Sequence, residues 1–213
     1  MGSISLYQIL LIFAAGGFVY LIYLRGNRKN KHLHTIISQE LEAAINPIDK
    51  LYKNLGGTIG YKAFYTRNGY INKVVALFTT LPRHSVAVYP FHLIFGGHDK
   101  LQLNIYTDKE ILLHFICVKN KKKYLKLLSK YNISGLKSTE IPLGNSTYLL
   151  YYKNKESLDI CNKIINTPFT TNLIAMSAIP ENKSFFLYCI PKEGNIKPLL
   201  KKYLSTMSDY LIK

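Results

Sequence analysis

Ile4-Ser5-Leu6-Tyr7-Gln8-Ile9-Leu10-Leu11-Ile12-Phe13-Ala14-Ala15-Gly16-Gly17-Phe18-Val19-Tyr20-Leu21-Ile22-Tyr23-Leu24 carries no charged side chain. A helix needs about 20 mainly apolar residues to cross a bilayer core, and this run has that length. A helix buried in a soluble domain is rarely apolar on every face for so long. The rival reading is a cleaved signal peptide, which places positive charge before a shorter apolar stretch. Here Arg25, Arg28, Lys29 and Lys31 all follow the run, and no charged side chain precedes it. Positive flanks stay in the cytosol, so a retained anchor is expected over 4–24, with a short luminal segment at 1–3. Tyr20 and Tyr23 fall where an aromatic belt would lie. Met1-Gly2 is not a myristoylation signal, because Leu6 stands where Ser or Thr is required. Ala14, Gly16 and Gly17 could admit a second membrane helix at close range. The favoured explanation is simply that small residues are common in such helices, because these are contiguous with Ala15 and define no single stripe.

Beyond the anchor about 180 residues remain, enough for one domain with its own core or two small ones. The net charge is +16, and all of it lies beyond the anchor. Such an excess suits an acidic partner: ribosomal RNA, another nucleic acid, or anionic lipid headgroups. The abundance of Lys, Asn, Ile and Tyr is also what AT-rich coding would produce. Cys117, Cys161 and Cys189 are widely spaced and odd in number, so no disulfide framework is expected. Free thiols fit a reducing, cytosolic compartment.

Residues 25–57 read as a basic flank and linker helix, with helical spacing over 32–46. Pro47 should kink or end that helix, and a second short turn should run on to Leu55. Gly56-Gly57 breaks the chain, and the α+β domain is expected over 58–213. Residues 59–67 and 73–81 read as strands joined by an Asn68-Gly69 hairpin turn. Residues 84–95 could be helix or strand, because Pro90 interrupts them. Strands follow at 101–106 and 110–119, then a basic helix at 121–131. A strand at 147–153 precedes a helix at 157–166. Strands at 172–179 and 184–190 precede a last helix at 196–211, with Asn195 able to cap it. Strands arriving in pairs between helices predict an α+β fold of mixed or antiparallel sheet with packed helices. Two similar layers in series would also fit.

No catalytic constellation appears: no nucleophile elbow, zinc-protease helix, Walker loop or dinucleotide fingerprint. Gly56-Gly57 and Gly96-Gly97 lack the Lys-Ser/Thr of a phosphate loop. His32, His34, His92, His98 and His114 show no metal-ligand spacing, so neither metal nor cofactor is expected. The lysines say more. Lys119, Lys121, Lys122 and Lys123 open the middle helix, where cations oppose the helix dipole. They are candidate phosphate or ribosome contacts, with Lys201 and Lys202 on the last helix. An ordinary solvated face is the alternative for both groups.

Gly60-Tyr61-Lys62-Ala63-Phe64-Tyr65-Thr66-Arg67 begins a longer pattern. It continues through the apolar strand at 73–81, Arg83 and a helix-like run ending at Gly96-Gly97-His98-Asp99. Then come Leu101-Gln102-Leu103-Asn104-Ile105, Ile116-Cys117-Val118, the basic helix, Phe185-Phe186-Leu187-Tyr188-Cys189-Ile190-Pro191 and the last helix. Over 59–213 this order resembles the cytosolic domain of the calumin family. The resemblance implies a non-enzymatic protein of the endoplasmic reticulum membrane with a luminal N-terminus. It implies an Asterix-like small membrane protein as partner in the PAT intramembrane chaperone complex. That complex works beside the Sec translocon and the ribosome as multipass membrane proteins are inserted. Family members also carry an acidic luminal segment and a Lys/Arg-rich coiled coil, which this sequence lacks, so a shortened member is expected. The competing expectations are a membrane-tethered RNA or anionic-lipid binder and, with least support, an anchored enzyme.

Overall fold

The computed structural model describes residues 5–143, 146–166 and 172–211. The expected luminal segment at 1–3, the first anchor residue at 4, and the last two residues of the expected domain, 212–213, lie outside them.

The first element is one uninterrupted helix of 40 residues, α1 (Leu6–Ile45). At 1.5 Å per residue it is about 60 Å long, twice the hydrocarbon thickness of a bilayer. Ser5 caps its start in a capping box with Gln8. Residues 6–21 are exposed throughout, and this first half is long and apolar enough to cross a membrane. Its second half buries Gly26, Asn30, Ile37, Leu41, Ala44 and Ile45. The expected anchor and the expected linker helix are thus parts of one continuous helix. The apolar stripe at 33–45 is a core face, and Arg25, Arg28, Lys29 and Lys31 are exposed positions inside the same helix. The helix stops where Asn46 adopts a left-handed conformation (φ 50°) before Pro47.

Among the described residues, nine strands form one antiparallel sheet: β1 (Asp49–Asn54), β2 (Gly60–Thr66), β3 (Ile71–Thr79), β4 (Lys100–Thr107), β5 (Phe115–Lys119), β6 (Lys137–Leu143), β7 (Ser146–Tyr152), β8 (Leu173–Ile179) and β9 (Ser184–Cys189). Their order across the sheet is β1-β2-β3-β4-β9-β8-β5-β7-β6. A single sheet replaces the two layers in series. Two strands went unread in the sequence. Both β1, where a turn was expected, and β6 are edge strands. An edge tolerates the charges of β1 and the Pro142 of β6, which hide the apolar alternation. The strand expected at 110–119 shortens to β5.

Between β3 and β4 lies α2 (Val88–Ile94), a short helix with no buried residue. The basic helix expected at 121–131 is only α3 (Lys122–Leu125) and a 3-10 turn at Leu128–Lys130. Among the described residues the remaining α-helices are α4 (Lys155–Ile165) and α5 (Ile196–Ser208), with a 3-10 turn at Pro180–Asn182.

Strand alternation sorts the core onto two faces. Ala63 and Tyr65 of β2, Ala76 and Phe78 of β3, Leu103 of β4, Leu187 of β9 and Cys117 of β5 point to one face. There they meet the second half of α1, with α4 and α5. On the other face, Ile116, Val118 and Tyr188 are covered by Tyr124 and the segment after it. Cys117, Cys161 and Cys189 are free and buried, and burial pushes the Cys189 thiol up to about 12.

The start of α5 shows how the helices lock together. Asn195 makes no side-chain cap. Glu40 of α1 takes that role instead, accepting from the backbone N–H of Gly194 (2.6 Å), Ile196 (2.9 Å) and Lys197 (3.0 Å). A carboxylate at a helix N-terminus satisfies orphan donors and complements the dipole. Glu40→Ala should cost about 1–2 kcal/mol, measured as a lower Tm of the full chain in detergent.

His34 gives the fold a pH dependence. Its ring lies edge-on to Tyr61 (5.6 Å) and Phe78 (5.2 Å). Burial lowers its pKa from the ordinary 6.5, against a smaller upward pull from Asp99. The unfolded chain gains this proton near 6.5 and the folded chain only at lower pH. Stability is therefore full above 6.5 and falls as pH drops toward the lowered value. Thermal melts should show Tm declining from about pH 7 to about pH 5, and His34→Phe should flatten that decline.

Candidate functional site

Sheet pairing defines two ends of the domain. Asn30 of α1 donates to Thr58 O (3.2 Å) and Leu81 O (2.8 Å), so α1 enters at the end holding Gly60, Thr79 and Lys100. Through β4–β9, β9–β8 and β8–β5, that end also holds Cys189, Leu173 and Lys119.

Three of the expected lysines converge there. Lys119 ends β5, Lys121 precedes α3 and Lys123 lies in its first turn. With His98, Gly96, Tyr124 and Asn172 they line a cavity of about 300 Å³, with Leu173, Ile174 and Ile190 also in its wall. Lys123 Nζ donates to Gly96 O (3.0 Å) and sits 4.9 Å from the centre of the Tyr124 ring. Lys119 Nζ lies 5.9 Å from the centre of the Tyr148 ring. Burial, then Lys121 and Lys123, lowers the Lys119 pKa. A site that makes one cation less favourable through its neighbours is one that an anion would relieve. Asn172 Nδ2 is buried beside this cavity with no hydrogen-bond partner among the described residues. His98 stacks on Tyr124 at 5.9 Å, and its Nε2 is 2.8 Å from the Tyr124 hydroxyl. Burial lowers its pKa first of all, so it adds a neutral polar edge.

Ammonium groups and an unpartnered amide facing one cavity suit a phosphate or similar anion. Lys122 is exposed and outside this lining. Lys201 and Lys202 are elsewhere. They border a groove of about 740 Å³ with Arg67, Tyr70 and Ala44. Ala44 is roughly 27 Å farther along α1 than Gly26, so this second basic patch lies at the opposite end. Arg67, His98 and Asn172 were not legible as site residues, because only the strand register brings them beside the lysines.

The junction with the apolar half of α1 is tightly built. Arg83 donates to Asn30 Oδ1 (2.9 Å) and forms a two-pronged pair with Asp99 (2.8 and 2.6 Å). Asp99 Oδ1 also accepts from Leu81 N (2.8 Å). Gly26 lies against the Arg83 backbone, and the Tyr23 and His84 rings meet edge-on at 6.1 Å. Gly16 and Gly17 have open space around their Cα atoms, and Ala14 is exposed. No group of three or more metal-ligating side chains occurs among the described residues. No protein-family model matches the chain, and no curated protein matches it significantly.

Proposed function

We propose that the chain is a single-pass membrane protein whose basic domain serves, without catalysis of its own, in insertion and folding of multipass membrane proteins. The observation that carries this reading is the continuity of α1: the apolar half and the core half are one helix. A domain built that way is held at a fixed distance and angle from the bilayer, as a scaffold beside a protein-conducting channel requires. The resemblance to the calumin family supplies the setting, the endoplasmic reticulum membrane, with the N-terminus luminal and the domain cytosolic. In this reading Ala14, Gly16 and Gly17 face an Asterix-like membrane partner, the Sec translocon lies alongside, and Lys201 and Lys202 reach toward ribosomal RNA. Affinity purification from mildly solubilised membranes should recover translocon and ribosomal components together. Lys201→Glu with Lys202→Glu should lower the ribosomal share; recovery of neither component would sink the proposal.

A second reading is favoured by the three-lysine cavity: a membrane-tethered binder of RNA or anionic lipid unrelated to translocation. It requires binding that falls steeply with salt and persists without translocon components.

A further inference from the structure

We propose that α2 and its flanks form a second membrane contact, a short apolar wedge that enters the surface of the same bilayer that α1 crosses. The proposal rests on α1 spanning that bilayer and is independent of the biogenesis reading. From Val86 to Gly96 every residue but Tyr89 is exposed. Phe91 is 61% exposed, Leu93 51%, Ile94 77% and Phe95 81%. Single exposed apolar residues are ordinary, but a contiguous run of large ones marks a surface meant to be covered.

Its position identifies the cover. The wedge leaves the domain through Arg83 and His84, which pack on Gly26 and Tyr23 of α1. That is the level where α1 passes from exposed apolar residues to Arg25, Arg28, Lys29 and Lys31. Leu55 and Ile59 of the β1–β2 hairpin are 42% and 48% exposed, and Ile59 shares a cavity wall with Tyr23 and His84. The apolar surface of the domain thus continues the apolar surface of the anchor. At the far end of the wedge, Lys123 holds Gly96 O and opens the three-lysine cavity. Apolar side chains below a rim of lysines match the layering of acyl chains below headgroup phosphates.

The test uses the full chain in liposomes. Because Cys117, Cys161 and Cys189 are buried, single introduced cysteines can be labelled with an environment-sensitive fluorophore. Labels go on Ile94→Cys, Phe95→Cys, Phe13→Cys in the anchor, and Leu51→Cys on the exposed edge strand. Lipids spin-labelled high on the acyl chain should quench Ile94→Cys and Phe95→Cys several-fold more than Leu51→Cys. Iodide should do the reverse. Quenching of the wedge by iodide, or shielding from both quenchers as a second copy would give, overturns the proposal. Lack of lipid quenching at Phe13→Cys would instead remove the anchor itself.

Discussion

Asp99→Ala should lower the stability of the chain by about 3–5 kcal/mol, because it leaves a buried guanidinium without its counter-charge. The Asp99 and Arg83 side chains are each 11% exposed. Burial pulls the Arg83 pKa down; the hydrogen bonds and charge of Asp99, with smaller contributions from Tyr89, outweigh it and leave the pKa raised. Removing the carboxylate also orphans the N–H of Leu81, and Arg83 Nε already lacks a partner among the described residues. At roughly 2–4 °C per kcal/mol for a domain of this size, Tm should fall by about 6–20 °C. The full chain in detergent can be followed by near-ultraviolet circular dichroism, which reads 17 tyrosines and no tryptophan. Adding Arg83→Met to Asp99→Ala should recover part of the loss, since the unpaired charge is then gone. A Tm within a degree or two of the parent would show that this network does not hold the junction.

Gly26→Val should disrupt the same junction by a different route. A Cβ at Gly26 would collide with Arg83 O, with its carbonyl carbon and with His84 N. These are backbone atoms, so no side chain can rotate away. Either α1 shifts outward or the 81–84 segment moves, at an overpacking cost of about 1–3 kcal/mol. Gly17→Val is the matched control, because nothing lies within 4 Å of a Cβ there. Its Tm should stay near that of the parent. Equal losses in both variants would mean that helix propensity, not the close approach, sets the cost.

The sequence revealed most of the core and little of its assembly. Alternation at 101–106 and the hairpin turn at 68–69 announced their strands, because each strand has one buried face and its neighbour is close in the chain. The stripe of α5 was legible for the same kind of reason, at helical spacing. Edge strands β1 and β6 were not, since exposure removes the constraint that writes a pattern. The length of α1 was also hidden: a charged stretch at 25–31 looks like a boundary, yet those side chains simply point outward from a continuing helix. The lysines at 119–123 were visible as a cluster. Their division, with Lys122 turned away and His98 and Asn172 brought in, depends on long-range pairing that no local signal encodes. Glu40 as the cap of α5 is a tertiary choice made across 154 residues.

The biogenesis reading depends on where α1 sits and which side the domain faces; the membrane wedge depends on the first alone. Sealed microsomes carrying the full chain with a C-terminal tag test this directly. The protein should stay in the pellet after alkaline carbonate extraction, and protease added outside should remove the tag while the vesicles remain closed. Release of the chain by carbonate, or protection of the tag until detergent is added, would contradict a cytosolic domain fixed to the bilayer by α1.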